Sequence, residues 1–230
     1  MTSRAMNLRT GIRASALLSG LLAAQLLASA ASIDFDVLRR IAAERFGARA
    51  QVAVDAWESL NDQLEGQQVP AQLRAINQFF NQRARWESDQ QIHRQEDYWA
   101  TPLELLAIGA GDCEDFAVAK YVSLLATGVA PETLRLVYVT ATLASGLTQA
   151  HMVLTWYSSP QAEPLVLDNI NPQILPAGRR PDLVPIFSFS ATELWVAGRS
   201  KAVSSKPIER MSRWRDLLDR AVAEGFRPEW

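Results

Sequence analysis

Cysteine, histidine and clustered basic residues are all scarce in this chain. Its 230 residues include one cysteine, Cys113, and two histidines. A lone cysteine excludes an internal disulfide, so the thiol is an inert packing group, an intermolecular partner or a reactive nucleophile. The formal net charge is −2 and the basic residues occur singly, which excludes a phosphate-binding stripe for nucleic acid. With 48% apolar and 21% charged residues, the composition is that of a globular protein, and the length favours one domain.

Long hydrophobic runs are also absent, except near the N-terminus. Arg4, Arg9 and Arg13 precede an apolar stretch that ends in small residues, with an A-x-A-like site at 28–30. This order of basic, apolar and small residues is typical of a secretory signal peptide. We therefore predict a signal peptide over 1–30, cleaved on export to the periplasm, and a single domain over 31–230. The alternative is an uncleaved anchor, although the apolar run is short for a membrane span.

Hydrophobic spacing in the remaining chain predicts helices first and strands afterwards. Apolar residues recur three or four apart in "IDFDVLRRIAAERFG", "VAVDAWESLNDQL", "AQLRAINQFFNQRARW" and "PLELLAIGAG". The segments "LRLVYVTAT", "AHMVLTWY" and "PLVLDNI" then show strand composition, "IFSFSATELW" is a further strand candidate, and "IERMSRWRDLLDRAVAEGF" predicts a last helix. This order predicts an α+β fold in which helices pack on an antiparallel sheet.

The cysteine lies at a predicted helix start, in "GAGDCEDFAVAKYVSL". A helix N-terminus lowers the pKa of a thiol, because the dipole favours negative charge there. The neighbours Asp112, Glu114 and Asp115 have the opposite effect, because like charges repel a forming thiolate. Three carboxylates within four residues also suit a hard cation such as calcium. On spacing alone, a solvated acidic first turn without a metal explains them equally well.

A histidine and an aspartate on the second and third strands complete a possible catalytic set. If residues 158–161, "SSPQ", form a four-residue hairpin loop, His151 lies directly opposite Asp168 on one face of the sheet. A carboxylate that orients an imidazole beside a thiol is the arrangement that covalent acyl transfer requires. We therefore predict a triad of Cys113, His151 and Asp168. The indole N–H of Trp99 is a candidate second oxyanion donor, beside the backbone N–H of Cys113.

The combination of "DYWATPLELLAIGAGDCEDFAVAKYVSLLATGV", "AHMVLTWY" and "PLVLDNI" resembles the bacterial transglutaminase-like cysteine proteinases, in particular the LapG-type periplasmic proteases. The resemblance covers about Leu73 to Trp195. It implies a papain-like, transglutaminase-like core with a triad that matches Cys113, His151 and Asp168. It also favours calcium over the metal-free interpretation of the acidic turn, with Asp112, Glu114 and Asp115 as ligands.

The resemblance further implies a substrate and a regulator. Enzymes of this type cleave the N-terminal region of a large RTX-type surface adhesin at a di-alanine site, which releases the adhesin and promotes biofilm dispersal. An inner-membrane cyclic di-GMP receptor holds them inactive through its periplasmic domain. Two alternatives stay open on the sequence: a transamidating enzyme with the same triad, and a catalytically inactive peptide-binding module that uses Trp99 and Trp156 as a groove.

Overall fold

The computed structural model describes residues 31–197, 202–203 and 211–228. The predicted signal peptide, 1–30, lies outside these residues. Within them, no helix combines the length and the hydropathy needed to cross a membrane.

Helices occupy the first half of the described chain, as the apolar spacing predicts. Their bounds are α1 Phe35–Phe46, α2 Ala48–Leu64, α3 Val69–Arg83, α4 Asp89–Ile92, α5 Pro102–Ile108, α6 Cys113–Ala126 and, near the C-terminus, α7 Ser212–Ala223. The third helix starts with a proline in its first turn, where the missing N–H costs no hydrogen bond. The fifth begins with a capping box between Thr101 and Glu104 and stops at Gly109, whose φ is +71°.

Strands follow in the second half and form one main antiparallel sheet. The short strands are β1 Ser32–Ile33, β2 Arg85–Trp86 and β3 Ala110–Gly111, and the later ones are β4 Leu134–Thr142, β5 Thr148–Trp156, β6 Leu165–Leu167, β7 Leu175–Pro176, β8 Leu183–Phe189, β9 Leu194–Val196 and β10 Phe226–Arg227. The six-stranded sheet has the order β7-β6-β5-β4-β8-β9. Two further sheets have two strands each: β1 pairs with β10 in antiparallel orientation, and β2 pairs with β3 in parallel orientation. The predicted α+β class is confirmed.

The register between β5 and β6 differs from the prediction. Trp156 pairs with Leu165 and Leu154 with Leu167, so the connection covers 157–164 and is longer than the predicted four-residue loop. Beyond Trp156 the chain stays bonded on the β4 side, where the N–H of Tyr157 donates to the carbonyl of Thr133 at 2.9 Å. The register is displaced by two residues, and His151 and Asp168 are therefore not directly opposite each other. A displacement of two keeps both side chains on the same face of the sheet.

The two faces of the sheet have different neighbours. One face packs against α6 in the main core, which includes Tyr121, Leu136 and Leu154. The other face has a separate apolar patch of four valines, Val137, Val139, Val153 and Val166. The helix α6 is buried along nearly its whole length, and this packing fixes its first residue, Cys113, against β5.

Candidate active site

Cys113 is the first residue of α6, and the chain before it packs tightly against two side chains. The glycine before the helix, Gly111, passes so near the next turn that a Cβ there would lie 2.6 Å from Asp115 Oδ2 and from Leu105 Cδ1. Asp115 in turn accepts the N–H of Asp112 at 3.1 Å and that of Ala100 at 2.7 Å. These two bonds join the start of α6 to the segment before α5. Asp115 is thus used to hold the helix start in place.

The thiol of Cys113 contacts an acid in this structure. Its Sγ lies 3.0 Å from Glu114 Oε2, with the thiol as donor. Burial, followed by the charge of Glu114 and this hydrogen bond, raises the pKa of Cys113 well above the ordinary thiol value, while the backbone of Met152 in β5 opposes the shift. The contact with the Met152 backbone places the sulfur against β5, the strand that carries His151.

His151 and Asp168 form a buried pair. His151 Nε2 lies 2.8 Å from Asp168 Oδ1, and both side chains are almost completely shielded from solvent. The other ring nitrogen, Nδ1, is buried and has no hydrogen-bond partner among the described residues. The imidazole is therefore anchored through one nitrogen and available through the other.

Asp168 has further partners that keep it ionised. Arg180 Nη2 donates to its Oδ2 at 2.8 Å, and the N–H of Ile170 donates to Oδ1 at 3.0 Å. Burial alone would raise the pKa of Asp168, but the bonds from His151 and Arg180 outweigh it and hold that pKa far below its usual range. Sequence analysis missed Arg180, because it lies in the proline-rich loop after β6 and no motif marks it.

The acids near Cys113 belong to a larger group, which we call the acidic cluster: Asp89, Asp97, Asp112, Glu114 and Asp115. Oxygens of Asp89, Asp112 and Asp115 lie within 4.8 Å of one another, and so do those of Asp89, Asp97 and Glu114. Asp89 and Asp97 were not predicted, since they come from α4 and the loop after it. Asp89 is shared by both sets and lies at the centre of the cluster.

Two observations fit a cation at the acidic cluster. Asp89 Oδ1 and Asp112 Oδ1 are buried without any hydrogen-bond partner in the described chain. Burial, followed by neighbouring carboxylates, raises the pKa of Asp112 to about 10 and that of Asp89 to about 6. Crowded oxygen ligands with unpaired lone pairs suit calcium. Of the three predicted ligands, Asp112 and Glu114 fit this role, whereas Asp115 already uses both oxygens on backbone N–H groups.

Trp99 does not present its N–H to the thiol. Its Nε1 donates to Asp97 Oδ1 at 3.0 Å, and its ring is buried between Phe189 and Trp214. In this arrangement, the predicted second oxyanion donor is already occupied. Trp99 instead positions Asp97, one of the cluster carboxylates.

A cavity of about 220 Å³ adjoins the cluster. It is lined by Asp97, Trp99, Tyr138, Phe187, Met211, Ser212 and Arg213. Burial, followed by the charges of Glu114 and Asp97, raises the pKa of Tyr138. The cavity is thus an aromatic recess next to the acidic cluster.

Comparisons with known proteins identify the family of this chain. The model of the bacterial transglutaminase-like cysteine proteinases, BTLCP, matches residues 43–196. The chain belongs to this family. No sequence among the curated proteins matches it.

Solved structures of LapG from Legionella pneumophila are similar to this chain over most of its length. The EGTA-treated form has 38% sequence identity and a TM-score of 0.71, and the match covers 84% of this chain and all of LapG. The calcium-bound form has 37% identity and a TM-score of 0.70, with coverages of 82% and 99%. The transglutaminase-like fold is thereby confirmed, and a relative of this chain binds calcium.

Proposed function

We propose that this protein is a calcium-dependent cysteine endopeptidase whose catalytic residues are Cys113, His151 and Asp168. The observation that carries the proposal is the imidazole, which is anchored to Asp168 through Nε2 while its buried Nδ1 has no partner in the described chain. Membership of a cysteine proteinase family supports the same assignment.

In the proposed reaction, His151 Nδ1 accepts the thiol proton and Cys113 Sγ attacks the peptide carbonyl carbon. The amine leaves with that proton, a thioester forms, and water hydrolyses it with His151 as the base. Asp168 holds the ring and stabilises the imidazolium. The backbone N–H of Cys113, at the N-terminus of α6, faces the developing oxyanion.

Glu114 links the acidic cluster to this chemistry. Its carboxylate accepts the thiol hydrogen bond and also belongs to the cluster. Bound Ca²⁺ would supply positive charge to Asp89, Asp112 and Glu114. With Glu114 engaged there, the thiol would lose its acceptor and the like charge that raises its pKa, and it would be free to donate to His151.

We further propose, from the resemblance of the sequence, that the substrate is a large RTX-type surface adhesin. Cleavage in its N-terminal region at a di-alanine site would release it and promote biofilm dispersal. The proposed regulator is the periplasmic domain of an inner-membrane cyclic di-GMP receptor, and the proposed location is the periplasm. In this proposal, the aromatic recess near Tyr138 receives residues next to the cleaved bond.

The test uses a purified N-terminal adhesin fragment encoded by the same genome. We expect the native protein to cleave it with Ca²⁺, EGTA to stop cleavage, and Cys113→Ala to abolish it while circular dichroism stays native. A fragment without the paired alanines is the substrate control. Cleavage by Cys113→Ala would refute the nucleophile, and crosslinked products in mass spectra would favour transamidation over hydrolysis.

A further inference from the structure

A cavity on the face of the sheet opposite α6 combines apolar walls with an unpaired cation. Its volume is about 290 Å³, which is near the lower end of ligand pockets. The four valines of β4, β5 and β6 contribute to its walls. Arg135 and Arg180 are its charged lining residues.

Arg135 is held rigid without an acidic partner. Its guanidinium carbon lies 3.8 Å from the ring centroid of Trp195 and 4.5 Å from that of Tyr157. Two aromatic faces fix the plane of the cation and leave its N–H donors unpaired. Over residues 31–197, 202–203 and 211–228, neither a carboxylate nor a hydrogen-bond acceptor pairs with these donors, and Nε is buried.

Arg180 supplies a second unpaired donor. It is 3% exposed, and its Nε and Nη2 atoms bond Asp182 and Asp168. Its Nη1 atom is buried and has no partner in the described part of the chain. Two guanidinium groups therefore line an apolar cavity with hydrogen-bonding capacity left over. A carboxylate is the complement of such a group.

The wall of the cavity also limits the type of ligand. The strands β4 and β5 are central in the sheet, so their backbone N–H and C=O groups bond the neighbouring strands on both sides. A peptide would find few partners for its amides over this surface and would lose their hydration. A ligand with one carboxylate and an unbroken apolar tail has no such cost.

We propose that this cavity binds a medium-chain fatty acid, with its carboxylate on Arg135 and its tail over the valines. The site does not depend on the proposed protease function. Another lining residue, Arg180, also bonds Asp168, so the cavity adjoins the acid of the His151–Asp168 pair.

Isothermal titration calorimetry with octanoate, octanol and octylammonium tests the proposal. The protein carries Cys113→Ala, so that proteolysis contributes no heat. We expect one saturable octanoate site, about ten-fold or more tighter than octanol, because a charge-assisted hydrogen bond is lost with the alcohol. Octylammonium should not bind. Equal affinity for the acid and the alcohol, or no saturable binding, would overturn the proposal.

Variants locate the site. Arg135→Met should weaken octanoate about ten-fold and leave octanol unchanged, whereas Arg49→Met, at an exposed position of α2, should change neither. Ala177→Trp, which fills the rim of the cavity, should abolish binding of both. Circular dichroism checks that each variant is folded. Octanoate binding that survives Ala177→Trp, or that Arg135→Met leaves unchanged, would place the ligand elsewhere and contradict the proposal.

Discussion

Two sets of side chains, Asp168 with its partners and the acidic cluster, are in opposite electrostatic states. Asp168 has His151, Arg180 and a backbone N–H as partners, and its pKa is strongly lowered. Asp112 and Asp89 in the acidic cluster have orphaned oxygens and raised pKa values. The first set is complete with this chain alone, whereas the orphaned oxygens of the second fit a cation. In the proposed mechanism, the first set orients the base and the second controls the thiol.

The largest expected effect is on cleavage activity and comes from removing the carboxylate of Asp168. Asp168→Asn keeps the size of the side chain but replaces the carboxylate at His151 Nε2 with an amide, which disfavours the productive tautomer and the imidazolium. We expect peptide cleavage to fall about 10³–10⁴-fold, measured as kcat/KM on the adhesin fragment. Calcium affinity should stay within a few-fold of the native value.

Asp182→Asn is the matched control for that variant. Asp182 also bonds Arg180 but is more exposed, and no hydrogen bond joins it to His151. Its loss should change cleavage less than about ten-fold. An equal loss in both variants would mean that Arg180, and not the contact with the ring, determines activity.

Calcium affinity distinguishes residues within the incomplete set. Asp112→Asn removes a ligand charge with an orphaned oxygen, so we expect calcium binding to weaken about ten- to hundred-fold by titration calorimetry. The thermal stabilisation by Ca²⁺ should shrink in parallel, because it follows the affinity.

Asp115→Asn should behave differently, although Asp115 lies in the same turn. Its oxygens accept the N–H groups of Ala100 and Asp112, so the variant should unfold at lower temperature with or without Ca²⁺. Asp36→Asn, on the exposed face of α1, is the neutral control. A loss of calcium affinity in Asp115→Asn as large as in Asp112→Asn would make Asp115 a ligand.

Much of the fold follows from local sequence patterns. Helical spacing predicts α1 to α3, and the β-branched run from Leu134 to Thr142 predicts β4 to the residue. These elements depend on side chains that repeat along their own segment. The register of β5 and β6 depends on the length of the connection between them, which covers 157–164 and is not the four-residue loop that the sequence predicts.

The candidate site divides in the same way. Cysteine and histidine are rare in this chain, which draws attention to Cys113 and His151, and the strand pattern brings Asp168 to His151. Asp89 and Asp97 join the acidic cluster only through the path of an irregular segment, and Arg180 through a proline-rich loop. The occupation of the Trp99 indole by Asp97 is likewise a tertiary contact.

The smallest expected effect concerns Lys120, a buried lysine whose pKa is influenced by Asp168. Asp168 already has other partners, so we expect it not to require the charge of Lys120. Burial lowers the pKa of this α6 lysine to about 7, and the charge of Asp168 only partly opposes the shift. Between pH 7 and about 10.4, the unfolded chain therefore binds more protons at this position, and its contribution to the free energy of unfolding rises with pH.

Lys120→Met should remove this dependence. We expect the variant to be more stable than the native protein by about 1–3 kcal/mol at pH 7, with the difference shrinking towards pH 10, in urea titrations with Ca²⁺. Asp168 keeps its bonds to His151 and Arg180, so no orphaned charge offsets the gain. A variant less stable than the native protein at pH 7 would show that Asp168 needs a third positive partner, and that this side of the site is less complete than its hydrogen bonds indicate.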